Sequence, residues 1–288
     1  MKIRAPAKVN FGLRVVGKRR DGYHLVDTVI VPVSLYDAIE ITSPKNPPER
    51  RTPFPRLTVT CDHPAVPGGK KNLAYKAACL FLNEHGIDRE VHIHIEKHIP
   101  VGAGLGGGST DAAATLLGLN RLFRIRYRQE ELLRLALSLG ADVPFFIRAI
   151  PARSQGIGER LRPVVNFPRY WLVILYPGIP VSTKWVYSNL RLKLTKPTAN
   201  TSITSKLRNP DNLGKLLVND LESVTIARYP CVGALKEKLL KEGAAGALMS
   251  GSGSAVFGIF GSIVKAREAF NRLRKEEGVQ AFLARVLT

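Results

Sequence analysis

Between residues 100 and 111 the chain reads Pro100-Val101-Gly102-Ala103-Gly104-Leu105-Gly106-Gly107-Gly108-Ser109-Thr110-Asp111, then runs into an apolar, alanine-rich stretch ending at Leu122. Glycines so closely spaced are costly in backbone entropy. They are expected where the backbone takes positive φ or must lie close to a ligand. Ser109, Thr110 and Asp111 are each able to cap a helix N-terminus, and Ala112, Ala113, Ala114, Leu116 and Leu117 favour helix. Bare amides and the positive end of the helix dipole would then face the loop, which makes it an anion site best suited to phosphate.

A glycine turn that only lets a strand and a helix pack closely is the bland alternative. The P-loop reading fails because no Gly-Lys-Ser/Thr closes the loop. Gly102, Gly104 and Gly107 formally meet the dinucleotide pattern G-x-G-x-x-G after a predicted strand at Val91, Ile93 and Ile95. That fold needs a second strand after the helix, whereas Arg128 to Leu139 reads as another helix through Leu132, Leu133, Leu135, Ala136 and Leu139.

Other residues that could do chemistry are scattered along the chain. Lys8 and Asn10 lie on the same face of a predicted strand, placing an ammonium and an amide side by side on its open side. Asp142 precedes Val143-Pro144, where it could cap a short helix. Tyr23 and His24 follow an Asp21-Gly22 turn, and Tyr187 follows Thr183-Lys184-Trp185; buried packing is the bland reading for both Trp185 and Tyr187. His92, His94, Glu96 and His98 share a face by period two. No fixed metal-ligand motif matches them, and no metal ligand is expected.

These residues need elements to hold them. Residues 2–16 alternate as a half-buried strand with Val9, Phe11, Leu13 and Val15 on one side. Asp21-Gly22 supplies hairpin chemistry into a second apolar run ending at Val33, and further strands are expected at Asp37–Thr42 and Leu57–Cys61. Asn72 is a good N-cap for a helix whose apolar positions are Leu73, Ala77, Leu80 and Phe81. Five prolines between Pro44 and Pro55 mark a surface loop. From about residue 165 the pattern runs strand (171–176), helices (about 212–221 and 232–241), strands (245–249 and 255–260), helix (263–275), strand (279–286). That is a ferredoxin-like βαββαβ order with inserted helices.

The whole is α+β, and 288 residues allow two modest domains, placed at 1–160 and 161–288. The formal net charge of +20 raises nucleic-acid binding as a rival class of function. The basic residues are spread along the chain and form no nucleic-acid motif, so a non-catalytic RNA-binding protein is the disfavoured alternative and no nucleic-acid partner is expected. No apolar run reaches a membrane span and the N-terminus has no apolar signal core, so no membrane partner is expected. The three cysteines fit a reduced, cytoplasmic interior. A monomer or homodimer is expected.

Residues Pro100 to Ala114 resemble the second motif of the GHMP kinases. Ala5-Pro6-Ala7-Lys8-Val9-Asn10 resembles the first motif and Ser250-Gly251-Ser252-Gly253-Ser254 the third. Gly-Gly-Gly-Ser-Thr-Asp-Ala-Ala, Asp21-Gly22-Tyr23-His24 and Gly140-Ala141-Asp142-Val143-Pro144-Phe145-Phe146 look most like the branch that phosphorylates 4-diphosphocytidyl-2-C-methyl-D-erythritol. The resemblance departs at Arg20, where proline is common, and at Arg148 to Gln155.

It implies a two-domain fold, an N-terminal ribosomal-protein-S5-like domain and a C-terminal ferredoxin-like one. It also implies ATP and Mg²⁺, with transfer of the γ-phosphoryl to the 2-hydroxyl of that cytidine diphosphate-bearing alcohol in the non-mevalonate isoprenoid route. Lys8 and Asp142 would be catalytic. Pro100, Val101, Gly102, Ala103, Gly104, Leu105, Gly106, Gly107, Gly108, Ser109, Thr110 and Asn72 would bind ATP. Asn10, Tyr23, His24, Asp142, Thr183 and Tyr187 would bind the alcohol, with the two tyrosines sandwiching cytosine and His24 on its edge. Another GHMP small-molecule kinase is the nearest alternative.

Overall fold

The computed structural model describes residues 1–44, 57–191, 213 and 217–288. Nearly all of the proline-rich loop, and Asn212 at the head of the expected helix 212–221, lie outside them. The chain divides into two compact units. The first holds Met1–Ala7, Tyr36–Val101 and Gly106–Arg148; the second holds Lys8–Leu35, Gly102–Leu105 and Ala149–Thr288. Two long strands, β1 (Lys2–Lys18) and β2 (His24–Thr42), contribute residues to both.

In the first unit the end of β2 pairs antiparallel with β4 (Val91–Glu96), and β3 (Leu57–Cys61) pairs parallel with β4. Ile39, Ile41, Val59, Val91, Ile93 and Ile95 alternate into the core, as a sheet covered on one face requires. Helices α1 (Leu73–Glu84), α2 (Gly107–Leu122), α3 (Gln129–Leu139) and α4 (Val143–Arg148) cover that face. The alanines of α2 allow it to lie directly on the sheet. A Cβ on its Gly118 would sit 2.5 Å from the Ile41 methyl and 2.6 Å from the Ile3 methyl, so a side chain there would overpack the contact. The face that α1 buries is Ala74, Ala77, Ala78, Phe81 and Leu82, with Leu73 and Leu80 only half-buried.

In the second unit the beginning of β2 pairs with β5 (Ala152–Gly156), which pairs with β6 (Arg160–Pro163). A four-stranded antiparallel sheet follows, in the order β10 (Gln280–Arg285), β7 (Trp171–Tyr176), β9 (Val256–Phe260), β8 (Gly246–Met249). This is the expected ferredoxin-like order. Successive residues of β7 and β9 face opposite ways. Val173, Leu175, Val256 and Phe260 meet Leu235 and Leu239 of α7 (Pro230–Lys241) and Ala266, Ala269 and Leu273 of α8 (Ile263–Leu273). Phe257 turns the other way, onto Phe11, with ring centroids 5.4 Å apart. Burial on both faces explains why these strands read as continuous apolar runs.

Two expectations change. Val33 and Asp37 belong to one 19-residue strand, because Pro32, which has no amide to give, still accepts the Leu287 amide at 2.9 Å. Of the expected helix 212–221, Leu213 is helical and accepts the Leu217 amide (3.1 Å), but residues 217–221 are not helical: Asn219 forms a bridge with Leu13, and the next helix, α6, spans Glu222–Arg228.

Candidate active site

The stretches that resemble the first, second and third family motifs each contribute residues to the second unit, where they are hydrogen-bonded together. In Gly102–Leu105 the side chains of Ala103 and Leu105 are buried, each 1% exposed, while Gly102 and Gly104 take φ of +67° and +78°. The alternation anchors the loop by its side chains and leaves its backbone free to curve. The Lys8 amide donates to the Leu105 carbonyl (3.0 Å), the Ser250 hydroxyl to the Gly104 carbonyl (2.9 Å) and the Ala255 amide to the Ala103 carbonyl (3.1 Å). A Cβ on Gly251 would lie 3.2 Å from Lys8 Nζ, 3.3 Å from the Gly104 carbonyl oxygen and 3.5 Å from Asn10 Oδ1. Lysine, glycine loop and Gly-Ser loop therefore close on one small volume.

Lys8 and Asn10 are buried, at 5% and 3% exposure, rather than on the open face that strand alternation predicts. Loops 102–105 and 250–254 cover that face, and its polar groups are satisfied in a chain. Lys8 Nζ donates to Asn10 Oδ1 (2.6 Å), and Asn10 Nδ2 donates to Thr28 Oγ1 (2.9 Å). The burial favours a functional lysine, since an ammonium taken out of water at a strand centre contributes little to folding on its own.

Residues that sequence reasoning passed over hold the Gly-Ser loop. Asn219 Nδ2 donates to the carbonyls of Met249 (2.9 Å) and Gly251 (2.7 Å), while its Oδ1 accepts the Leu221 amide (3.0 Å). Glu222 accepts the Met249 amide (2.9 Å), and Thr225 Oγ1 donates to the Ser252 carbonyl (3.0 Å). An asparagine whose donors and acceptor are all taken by backbone groups pins a loop in one conformation.

Near the predicted substrate residues, the ring stacked on Tyr187 is that of His24, with centroids 5.1 Å apart and planes 23° apart. Tyr23 is 61% exposed. Burial, and then the charge of Lys18, pushes the His24 imidazole below its ordinary pKa, so it is neutral at pH 7. Thr183 Oγ1 lies 2.9 Å from Ser252 Oγ. Arg153, in the segment that departs from the resemblance, forks onto buried Asp27, Nε to Oδ1 at 2.7 Å and Nη2 to Oδ2 at 2.5 Å.

The first unit carries the rest of the glycine loop. Helix α2 begins at Gly107 with Gly106 as its N-cap, at φ +76° and with no side-chain cap. Ser109, Thr110 and Asp111 thus lie inside the helix rather than at its cap, because the left-handed glycine at 106 turns the chain three residues before the first of them. No strand follows α2 before α3, which removes the dinucleotide fold. The Asn72 amide is engaged in capping: Oδ1 accepts the Ala74 amide (2.8 Å) and Nδ2 donates to the Pro67 carbonyl (2.9 Å). Asp142 is half-buried, immediately before α4. His98 lies beyond the end of β4, its amide donating to Asp37, so it does not extend the row of His92, His94 and Glu96. Among the described residues no cluster of three or more His, Cys, Asp or Glu could hold a metal. No helix among them is long and apolar enough to cross a membrane.

A buried lysine held against a glycine loop, with a helix N-terminus continuing that loop, is the arrangement of a small-molecule kinase. Residues 72–149 match the GHMP kinases N terminal domain and residues 203–280 the GHMP kinases C terminal domain; the chain belongs to the GHMP kinase family, whose members are ATP-dependent. Over 287 residues it is 45% identical to the 4-diphosphocytidyl-2-C-methyl-D-erythritol kinase of Geobacter sp. (strain M21), covering 100% of this chain and 99% of that one. The Clostridium botulinum (strain Hall) protein of the same name is 40% identical over 290 residues, 100% of each chain. A crystal structure of 4-(cytidine 5'-diphospho)-2C-methyl-D-erythritol kinase superposes with a TM-score of 0.85 at 36% identity, over 100% of both chains. Methanococcus jannaschii mevalonate kinase shares the fold alone: TM-score 0.73, 16% identity, 100% of this chain and 98% of that one.

Proposed function

We infer that this chain transfers the γ-phosphoryl group of ATP to the 2-hydroxyl of 4-diphosphocytidyl-2-C-methyl-D-erythritol, in the non-mevalonate route to isoprenoid precursors. The observation that carries it is the closure of Lys8, Gly104 and Gly251 on one small volume in a chain that matches kinases of that name from end to end.

In such reactions positioning and charge stabilisation do most of the work. The amides of the glycine loop and of the first turn of α2 hold the phosphates. Asp142 accepts or orients the proton of the attacking hydroxyl, and Lys8 offsets charge that develops on the reacting oxygen. Asn10, already bonded to Lys8, fixes the ammonium. Mg²⁺ bound with the triphosphate would supply charge neutralisation. No group of three or more His, Cys, Asp or Glu among the described residues is arranged to hold a metal, and a hard cation of this kind is commonly carried on substrate phosphates with its own waters. For Tyr23 and Tyr187 to take both faces of the cytosine, His24 gives up the face of Tyr187 and moves to the base edge. The same reading takes 1–160 as the ATP-binding half, 161–288 as the C-terminal half, and the cytoplasm as the place of action.

The test is ADP release by the purified protein with ATP, Mg²⁺ and, in separate reactions, the cytidine-bearing alcohol, mevalonate and homoserine. ADP release is expected with the first alone. A rate with the cytidine-bearing alcohol no higher than without any acceptor would sink the assignment.

A further inference from the structure

Beneath the first turn of α2 two carboxylates share one ammonium. Lys97, its side chain 3% exposed, places Nζ 2.6 Å from Asp37 Oδ2 and 2.6 Å from Asp111 Oδ2. Asp37 is fully equipped as an anion, because its other oxygen accepts the amides of His98 (2.7 Å) and Ile99 (2.8 Å). Asp111 is not: its Oδ1 is buried with no hydrogen-bond partner among the described residues. The Lys97 ammonium also abuts the loop itself, since a Cβ on Gly107, the first residue of α2, would lie 2.9 Å from Nζ. The lysine occupies the space that a side chain at residue 107 would need.

Two negative charges and one positive charge, cut off from water, leave a net negative charge under a turn read above as the phosphate cradle. Of the two carboxylates Asp111 is the one able to relieve it. Burial above all, and then Asp37, push its carboxyl up to about 7 against the pull of Lys97. The groups facing it are Asp37 from β2, Lys97 after β4, and the Cys61 thiol at the end of β3, which feels both Lys97 and Asp111. The side chains buried by the helices packed on α2 are apolar.

We propose that Lys97 is a positioning residue for the nucleotide loop, holding the first turn of α2 through Asp111, and that Asp111 takes up a proton when a polyphosphate occupies that turn. The proposal rests on the reading of this loop as the ATP site. Only an O–H bond forms, on the Asp111 carboxylate, and the proton comes from solvent. A polyanion nearby disfavours a second buried anion, so binding and protonation favour each other.

The experiment is calorimetric titration of the full chain with Mg·ADP at pH 8, repeated in buffers of different ionisation enthalpy, beside steady-state kinetics. Wild type is expected to take up protons on binding, and Asp111→Asn, which keeps the size of the side chain, to bind ADP with that uptake abolished. Lys97→Met should raise KM for ATP about tenfold or more, the loss of roughly one positioning contact, with KM for the acceptor unchanged; Lys97→Arg should recover part of it. Binding without uptake in wild type, the same uptake in Asp111→Asn, or an unchanged KM for ATP in a folded Lys97→Met would each overturn the inference. No binding of ADP to wild type would instead overturn the ATP-site reading.

Discussion

Replacing Gly104 by alanine probes the closure of the site directly. Gly104 has φ +78°, and a Cβ built on it falls onto the Ser250 carbonyl oxygen, 3.1 Å from the Ser250 carbonyl carbon and 3.0 Å from the Gly253 amide nitrogen. All are backbone atoms of a loop whose Ser250 and Ser254 are fully buried, at 0% exposure. They cannot swing aside as a flexible side chain would. Left-handed backbone disfavours alanine by about 1–2 kcal/mol, and the forced displacement adds about 1–3 kcal/mol, so a loss of about 2–5 kcal/mol is expected. Gly178→Ala is the control, because Gly178 has φ +73° with nothing within 4 Å of its Cβ position; it should lose only the backbone part, about 1–2 kcal/mol. Urea unfolding of both variants, compared at equal m-value, separates the two contributions. Equal midpoints would mean that the glycine loop does not press on residues 250–253, and the geometry assigned to the site would be wrong.

Three further outcomes are expected. Lys8→Ala and Asp142→Ala should each lower turnover about 10²-fold or more, as loss of an electrostatic group or general base does; near-normal turnover in either variant removes that residue from the mechanism. Arg153→Met leaves Asp27 buried without its fork, and thermal unfolding should report a loss of about 3 kcal/mol, the scale of a broken buried ion pair. The Asp111 carboxyl, raised from 3.8 to about 7, contributes stability that is present below about pH 4 and lost as pH rises through 7. Asp111→Asn should therefore gain on wild type between pH 4 and pH 8, and parallel stability curves would refute the raised value.

Much of the fold was legible because hydrophobic periodicity encodes it. Strands 57–61 and 171–176 fall where their β-branched and apolar runs place them, and the order of the C-terminal sheet follows from its alternation of runs and helical stretches. The failures have one cause, tertiary contacts overriding local pattern. Leu213, Leu217 and Leu221 are spaced like a helix face, yet Asn219 between them is claimed by Leu13 and by the Gly-Ser loop. Period-two alternation also assigned Lys8 to an open face, because alternation shows which residues share a face and not what covers it.

The glycine loop could be read because a positive-φ requirement leaves its mark on a single position. Of the two lysines that the fold buries against glycines, the first motif marked Lys8 and nothing marked Lys97. With 43 Lys and Arg in the chain, composition singles out neither Lys8 nor Lys97, and the carboxylates that hold Lys97 lie 60 and 14 positions away in sequence. What both lysines share is a glycine against the ammonium, distant in sequence for Lys8 and ten residues on for Lys97. Gly251 would place a Cβ 3.2 Å from Lys8 Nζ, and Gly107 would place one 2.9 Å from Lys97 Nζ. In each case an ammonium lies in the space that a side chain on the glycine would need, and Gly251 also takes a left-handed φ of +56°. The cluster of Lys97, Asp37 and Asp111 has no meaning until the fold brings its members together, and for that reason the resemblance in local motifs marked the loops of this site and Lys8 but not the buried charges beneath the first turn of α2.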